Sequence, residues 1–310
     1  MDKEKWLEER KSYIGGSDIA AVMGMSRWKT PLQLWAEKTG KVEQPDLSNV
    51  EAVEMGSELE ETVARMFTKR TGKKVRRAPK DYTYKHSSKG GGVDIDAEFS
   101  FIRCQVDRLV EGTDELLECK TASAWKEKEW EDEEIPAEYI LQVNWQLGIT
   151  GRSIGHIAVL IGGQKFVYKE ITFDKALFNK QLDQAVLFWD MVQDKTPPMA
   201  AGDDNDFIIK LHPENDEQLQ EMQEMNDSIA LLQQLKEDIK NILEQKDEVE
   251  AKLKQVIGDN LGIETSDYKL TWKKQTTTRL DQKNLKEEQP EIYNRYAYAS
   301  DSRVLRVRKA

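Results

Sequence analysis

The chain has 310 residues, of which 33% are charged and 38% hydrophobic, and its formal net charge is -11. This composition is typical of a soluble protein with one large domain, or with one domain and an appendage, and no apolar run approaches the roughly 20 residues of a membrane span. The polar start of the chain and its two cysteines predict neither a secretory signal nor a disulfide framework, so we expect a reduced, cytoplasmic setting.

The negative net charge argues against a nucleic-acid partner at first, but the charge is unevenly distributed. Residues 69–80 carry seven basic side chains and no acidic one, and residues 303–309 form a second basic stretch. Acidic residues concentrate in 127–134 and in 214–250. Because the local field decides phosphate binding, each basic stretch is compatible with a DNA contact or with a solvated face.

The first part of the chain predicts short helices followed by a long one. A helix is expected over 2–11, and Ser17 or Asp18 would then cap a second helix at 19–23. Residues 50–71 form the most periodic segment, because their apolar side chains recur at helical spacing. These side chains are Val53, Met55, Leu59, Val63, Met66 and Phe67.

Strands dominate the next segment, and helices return after it. We expect β structure over 73–122, a helix over 137–149, a hairpin that turns at Gly162-Gly163, and a helix over 174–193. This order predicts an α/β fold for residues 1–200, with a central mixed sheet flanked by helices.

A different pattern begins after Pro197-Pro198. Residues 201–310 predict a C-terminal extension with a long charged helix over about 214–257 and a small β/α tail. Two heptad positions of this helix are mainly apolar over about four heptads, with Ser228 and Lys246 as the exceptions, as in a coiled-coil seam or a helix pair. Its 12 acidic and 5 basic residues argue against a place on DNA. The extension could brace an oligomer, dock a partner or only extend the fold.

Residues 101–122 say most about function. One apolar run ends in Asp107, and a second carries Glu118-x-Lys120. Side chains alternate along a strand, so Glu118 and Lys120 point to one face and Cys119 to the other. Two carboxylates and a lysine at neighbouring strand ends suit a divalent metal and an attacking water beside a phosphate. A surface salt bridge on a hairpin is the plain alternative.

With a helix before it and a polar-faced helix after it, this hairpin resembles the PD-(D/E)XK nuclease superfamily. The resemblance implies phosphodiester hydrolysis that depends on Mg²⁺ or Mn²⁺, because hard oxygen ligands suit these ions. Asp107, Glu118 and the backbone carbonyl of Cys119 would hold the metal. Lys120 would orient the water and stabilise charge in the transition state.

The ordered blocks over residues 5 to about 195 look like the YqaJ-type viral recombinase family, which is related to lambda exonuclease. The blocks are Trp6-x-x-x-Arg10, Gly15-Gly16-Ser17-Asp18, Gly56-x-x-x-Glu60, Val106-Asp107-Arg108, Glu118-x-Lys120 and Gln142-x-x-x-Gln146. Each block is weak by itself, and the specificity lies in their order.

This resemblance also implies roles for residues outside the hairpin. Gln142 would join the active site, and Glu60 would be a second-metal or water-holding carboxylate, with Glu58 a less favoured substitute. Arg10 and Ser17 match the residues that hold the 5′ terminal phosphate in the exonuclease relatives. A guanidinium suits this task because it grips phosphate oxygens bidentately.

Two positions have alternative interpretations. Many relatives have a Pro-Asp-Gly turn where this chain has Val106-Asp107-Arg108, and Arg108 is either a phosphate contact or, as we favour, a solvated side chain. Trp28 follows the expected phosphate pocket and could stack on the terminal base, although packing is the commoner use of such a tryptophan.

The family resemblance implies a 5′→3′ exonuclease that degrades double-stranded DNA from its ends and leaves 3′ overhangs. Such an enzyme would be a phage or prophage protein in the cytoplasm of a bacterial host, and it would work beside a RecT- or Redβ-like single-strand annealing protein. The resemblance also implies a homo-oligomer, in the form of a trimeric ring that threads DNA. An endonuclease of the same superfamily and a non-catalytic DNA-binding or scaffold protein are the alternatives.

Overall fold

The computed structural model describes residues 8–44, 47, 50–79, 81–84, 99–215, 218–299 and 303–307. The chain divides into two compact units, Met1–Leu211 and His212–Ala310. Most of the predicted helix over 2–11, including Trp6, lies outside the described residues, and residues 8–10 are helical. Residues 85–98 of the expected β segment over 73–122 also lie outside them.

The described residues of the first unit form seven strands: Val75–Arg77 (β1), Tyr82–Thr83 (β2), Arg103–Cys104 (β3), Arg108–Val110 (β4), Glu115–Ala122 (β5), Ile154–Ile161 (β6) and Lys165–Thr172 (β7). Five of them form a mixed sheet in the order β1-β4-β5-β6-β7, and β2 pairs with β3. Neighbours in the large sheet are antiparallel, except that β5 and β6 are parallel.

The described helices of this unit are Ile19–Val22 (α1), Pro31–Lys38 (α2), Glu51–Thr71 (α3), Ala137–Thr150 (α4), Lys175–Gln193 (α5) and Asn205–Leu211 (α6). The expected 50–71 helix is therefore present, and it ends where Gly72 adopts a left-handed conformation with φ of 74°. The α4 helix makes the crossover that parallel pairing of β5 and β6 requires.

Alternate residues of the sheet pack on opposite layers of helices. On one face Leu117, Val110 and Ala158 contact Val63 and Phe67 of α3. The other face belongs to a larger core with residues from α1, α2, α4 and α5, and its members from the sheet are Leu109, Leu116, Ile157, Val159, Ile161 and Ile171. The unit thus has three layers, and the predicted α/β fold with a helix-flanked mixed sheet is confirmed.

Apolar periodicity overstates the buried surface at the start of α3. Val53 and Met55 are exposed, whereas Val63 and Phe67 are fully buried.

The predicted domain boundary between residues 200 and 201 lies before a segment that still packs on the first unit. Asp204 is buried there and accepts a hydrogen bond from Thr30, so the unit continues to Leu211.

The second unit consists of a long helix and small elements. The helix spans Asn226–Ile257 (α7), so it begins twelve residues later than the predicted start at 214. It is followed by the antiparallel strands Gly262–Glu264 (β8) and Lys269–Thr271 (β9) and by helices Gln282–Glu288 (α8) and Pro290–Tyr296 (α9). Ile257 is the one fully buried side chain among the residues described in this unit. No helix in the described part of either unit is long and apolar enough to cross a membrane.

Candidate active site

The β4–β5 hairpin brings Asp107 and Glu118 together. Arg108 lies opposite Leu117 in the antiparallel register, which places Asp107 across from Glu118. The Asp107 carboxylate accepts a hydrogen bond of 2.7 Å from the backbone N–H of Cys119. Alternation along β5 directs Glu118 and Lys120 to the α4 side and Cys119 to the α3 side, as the sequence predicts.

The Glu118 carboxylate is buried and receives three side-chain donors. Lys120 Nζ donates to its Oε1 atom at 2.7 Å, and Gln142 Nε2 donates to the same oxygen. Gln146 Nε2 donates to Oε2 at 2.7 Å and to the Gln105 carbonyl at 2.9 Å. The two glutamines are four residues apart on α4, so they share the helix face that covers β5. These donors hold Glu118 in one orientation.

Arg108 points away from this cluster, and the favoured interpretation of a solvated side chain is wrong. It pairs with Leu117 in register and therefore faces α3, where only 3% of it is exposed. Its guanidinium donates to Glu60 and, at 3.0 Å, to Glu61. It also donates to the Asp107 carbonyl at 2.8 Å. Arg108 thus ties α3 to the strand that carries Asp107.

A second polar cluster adjoins the first and contains Arg10, Ser17, Asp18 and Lys38. Arg10 Nη2 donates to Ser17 Oγ at 3.1 Å and to Asp18 Oδ1 at 3.0 Å. Lys38 Nζ is fully buried and donates to Asp18 Oδ2 at 2.8 Å. Two cations therefore share one carboxylate, and the cluster keeps a net positive charge.

Asp18, one of the two expected caps, occupies the position before α1, but its side chain makes no capping hydrogen bond to that helix. Its Oδ2 atom accepts from the Gly15 backbone N–H at 3.1 Å instead. Burial by itself would raise the pKa of Asp18, but the Lys38 and Arg10 charges outweigh it and hold the pKa well below its ordinary value. The carboxylate is thus permanently ionised and orders the Gly15-Gly16-Ser17 loop.

One cavity of about 160 Å³ joins the two clusters. Its lining residues are Arg10, Tyr13, Gly15, Gly16, Ser17, Gln105, Asp107, Glu118 and Gln142. Gly16 lies at the junction, since a Cβ atom there would be 3.5 Å from Gln142 Cγ. The cavity therefore has a carboxylate end and a cationic end, and Lys120, Cys119, Glu60 and Trp28 lie outside its lining.

Two acidic side chains share the carboxylate end of the cavity. Burial, followed by the neighbouring Glu118 charge, raises the pKa of Asp107 well above its ordinary value. Burial alone would lower the pKa of Lys120, but Glu118 and Asp107 raise it above its usual value. Lys120 is therefore a permanent ammonium donor. Burial also raises the pKa of the Cys119 thiol, which leaves its carbonyl as the useful ligand.

The donor set at this end fits a hard divalent cation. It consists of two carboxylates, from Asp107 and Glu118, and the Cys119 carbonyl, which shares a strand edge with the N–H that contacts Asp107. Mg²⁺ sites often have one or two carboxylates, with water and phosphate oxygens completing the shell. No group of three or more His, Cys, Asp or Glu side chains with metal-binding geometry occurs in the described part of the chain.

Glu60 and Trp28 stand apart from the cavity. Glu60 lies on α3, on the opposite face of the sheet from Glu118, and its carboxylate is paired with Arg108. Trp28 is 69% exposed, and Lys126 Nζ lies 4.6 Å from its ring centroid. The commoner packing role of such a tryptophan does not apply to Trp28, since its ring lies on the surface.

Three participants are absent from the sequence-based site. Gln146 was visible as the i+4 neighbour of Gln142, but two ordinary glutamines explained that spacing equally well. Gln105 contributes its backbone carbonyl, which leaves no trace in a sequence. Lys38 lies at the end of a short helix 20 residues from Asp18, and no local pattern links the two.

The chain is similar to known proteins over most of its length. Residues 5–153 match the model of the YqaJ-like viral recombinase domain. The "Uncharacterized protein YqaJ" of Bacillus subtilis (strain 168) is 37% identical over 302 residues, which cover 95% of this chain and 91% of that protein.

Solved structures resemble the chain more distantly. An alkaline exonuclease from Laribacter hongkongensis is 20% identical with a TM-score of 0.48, over 62% of this chain and 93% of the other. A putative exonuclease from Eubacterium rectale is 11% identical with a TM-score of 0.43, over 73% of this chain and 97% of the other. The identity and coverage of the Bacillus relative are high enough to decide the family. The chain belongs to the YqaJ-like viral recombinase family, as its ordered motifs predicted.

Proposed function

We propose that this protein is a metal-dependent 5′→3′ exonuclease that acts on the ends of double-stranded DNA and leaves 3′ single-stranded overhangs. One observation carries the proposal: a single cavity holds both the Asp107–Glu118 carboxylates and the Arg10–Ser17 cationic cluster. Family membership and the PD-(D/E)XK type of fold support a nuclease. The cationic end adds a reason for the enzyme to start at a DNA end.

At the carboxylate end, Asp107, Glu118 and the Cys119 carbonyl would hold Mg²⁺ or Mn²⁺. The bound cation would offset phosphate charge and make hydroxide available near neutral pH. Lys120, as a permanent ammonium, would hold the attacking water and stabilise the charge that develops on the phosphate. Gln142 and Gln146 would keep Glu118 oriented throughout the reaction, since both donate to it.

At the other end, Arg10 and Ser17 would receive the 5′ terminal phosphate. Ser17 Oγ accepts from Arg10, which leaves its own hydroxyl proton able to point to a phosphate oxygen. The net positive charge of Arg10, Lys38 and Asp18 favours an anion here. A terminal phosphate held at this end would place the first phosphodiester group toward Glu118, which sets the polarity of digestion.

Two predicted roles depend on further conditions. Glu60 as a second-metal or water-holding carboxylate requires release from Arg108, to which it is paired. Trp28, exposed on the surface, would stack on a terminal base only if the DNA end extends that far. The annealing-protein partner, the trimeric ring and the phage origin remain predictions from the family.

The test is digestion of end-labelled duplexes in Mg²⁺ by the wild type, Glu118→Gln and Lys120→Ala. Duplexes with 5′-phosphate ends, duplexes with 5′-hydroxyl ends and covalently closed circles are compared. We expect the wild type to release 5′ nucleotides from phosphorylated ends. Each variant should lose about 100-fold or more in rate, because each removes charge stabilisation or a metal ligand. Chelation of divalent cations should abolish the wild-type activity.

Lys165→Ala is the matched control, since Lys165 is an exposed lysine that is paired with Glu127 and does not line the cavity. It should retain wild-type activity. Equal rates on closed circles and linear duplexes would identify an endonuclease. If the wild type digests none of the substrates with any divalent cation tested, a DNA-binding or scaffold role is favoured. Full activity of Lys120→Ala and Glu118→Gln would refute the proposed site.

A further inference from the structure

The long helix α7 exposes an apolar stripe that the described residues of the second unit leave uncovered. The side chains on this surface are between 38% and 72% exposed. They are Ile229, Leu235, Ile239, Ile242, Leu243, Val249, Leu253 and Val256. Soluble proteins rarely leave an apolar stripe of this length in water, so its position along the helix matters.

The stripe follows a heptad repeat. One seam position holds Leu232, Ile239, Lys246 and Leu253, and the other holds Leu235, Ile242, Val249 and Val256. Alternating steps of three and four residues keep both positions on one side of the helix. A helix with such a seam pairs with another helix, and the residues beside the seam then decide orientation and register.

The residues beside the seam disfavour a parallel pair of two copies. In a parallel pair each residue on one flank meets a residue five positions later on the other flank. This would bring Asp238 against Leu243, Gln245 against Glu250, and Lys252 against Ile257. None of these combinations joins opposite charges.

An antiparallel pair in one register brings opposite charges together on both flanks. When Ile239 faces Val249 of the second copy, Leu232 faces Val256 in the same way. On one flank Lys236 then meets Glu250, and on the other Asp238 meets Lys252. Each pair occurs twice because the arrangement is two-fold symmetric. A shift by one heptad in either direction opposes Lys236 to an apolar residue instead.

We propose that α7 pairs with α7 of a second copy of this chain, antiparallel and in this register. The proposal goes beyond the nuclease function and beyond the ring expected from the family, since it assigns a two-fold contact to the second unit. Complementary charge on both flanks identifies the partner as the same helix. An unrelated basic helix would complement the net negative charge of α7, but not the order of acidic and basic residues along its two flanks.

The one charged seam residue does not oppose this arrangement. Lys246 Nζ lies 2.8 Å from Glu250 Oε1 and 3.3 Å from Asp247 Oδ1 on its own helix. Its ammonium is thus already directed out of the seam, and its methylene stem can cover Ile242 of the partner helix. A single polar residue at a seam position is a known means of fixing register.

The first experiment measures self-association of the full chain by sedimentation velocity. We expect a two-fold association that weakens about tenfold or more in Asp238→Lys and in Lys252→Asp, because each places like charges together twice. The double variant Asp238→Lys/Lys252→Asp should recover the wild-type constant within about threefold, as the charges are again opposite. Lys240→Glu, a charge change away from both flanks, is the control.

The second experiment establishes orientation with a short thiol cross-linker. The Leu232→Cys/Val256→Cys variant should give a covalent dimer in high yield. Val256→Cys alone should give only the wild-type background from Cys104 and Cys119, because antiparallel copies of residue 256 are about 36 Å apart along the axis. Efficient cross-linking of Val256→Cys would instead indicate a parallel pair and overturn the proposal.

The results also separate this contact from a ring formed by the first unit. If copies of the chain associated only through a ring of first units, the charge variants would keep the assembly mass of the wild type. That result would overturn the proposal. A monomeric wild type at the highest usable concentration would do the same. Nuclease activity of the charge variants on DNA ends is measured in parallel, so failure of the helix contact is distinguishable from failure of the nuclease proposal.

Discussion

The two units treat polarity in opposite ways. The first unit buries charged side chains, among them Asp18, Lys38, Arg108 and Glu118, each 5% exposed or less. The second unit exposes apolar side chains along α7, such as Ile239 and Ile242. In ordinary proteins the buried residue is apolar and the exposed one is charged, so both units depart from the usual rule.

The departures have different physical meanings. A buried charge persists only when partners compensate it, and in the first unit each has a partner that is also part of the cavity or of its support. An exposed apolar stripe costs solvation free energy until something covers it. The first unit is thus completed internally, whereas the second unit is completed by association. Five predictions probe this difference.

The largest effect on stability is expected from Lys38→Met. This change leaves the buried Asp18 carboxylate without its main compensating charge, and it removes the donor to the Arg10 and Tyr13 carbonyls. Loss of one member of a buried ion pair costs about 3–5 kcal/mol. Chemical denaturation of the first unit measures this loss of unfolding free energy. The matched control Lys165→Met breaks an exposed pair and should stay within about 0.5 kcal/mol of the wild type.

The deficit of Lys38→Met should also depend on pH. In the wild type the pKa of folded Asp18 lies below its unfolded value of about 3.9, so its contribution is full above that pH and is lost as pH falls. Without Lys38, burial is less opposed and the pKa of Asp18 rises. The difference in unfolding free energy between the two proteins should therefore shrink as the pH is lowered toward about 4. A pH-independent difference would show that lost packing dominates.

Arg108→Met should have the next effect. It removes the donor to the Asp107 carbonyl and frees Glu60 and Glu61, which are partly solvated, so we expect a loss of about 1–3 kcal/mol. Removal of a positive charge near Asp107 should also lower the Mg²⁺ concentration that gives half-maximal activity. Arg108→Lys is the comparison, because it keeps the charge. An unchanged Mg²⁺ requirement in Arg108→Met would argue against Glu60 as a metal ligand.

Arg10→Lys should change substrate preference more than stability. It keeps one positive charge but loses the planar fork that donates to Ser17 and Asp18. The preference for 5′-phosphorylated over 5′-hydroxyl duplex ends should fall about tenfold, equivalent to about 1.4 kcal/mol. Competition between the two labelled ends in one reaction measures this ratio. An unchanged ratio would remove Arg10 from the phosphate-binding role.

Ile239→Ser should have the smallest effect on the fold. The side chain is 57% exposed, so at protein concentrations too low for self-association its replacement should change the unfolding free energy of either unit by less than about 0.5 kcal/mol. Self-association should weaken nonetheless, since the seam loses an apolar contact in each copy. Phe67→Ala is the contrasting variant. Phe67 is fully buried, so its truncation should lower the unfolding free energy by about 3–5 kcal/mol. Similar costs for both would contradict the comparison of the two units.

The sequence predicted the local geometry of the candidate site. Alternation along β5 sufficed to place Glu118 with Lys120 and Cys119 opposite, because a strand leaves no other choice. The helical repeat placed Gln142 and Gln146 on one face. The pairing register of β4 with β5 was harder to predict. Arg108 was expected in solvent and instead lies buried against α3. Its direction depends on which residue of β5 it faces, and no local pattern contains that information.

What the sequence determined by itself is the set of periodic features and the ordered motifs: α3, α4, the β4–β5 hairpin, the heptads of α7 and the family. Each depends on interactions within a few turns of chain or on a comparison of residues in order. Only the tertiary structure decided that Lys38 reaches Asp18 and that Gly16 abuts Gln142. It also joined the cationic cluster and the carboxylates in one cavity. Those contacts join residues far apart along the chain, and only packing of the helix layers on the sheet sets their distances.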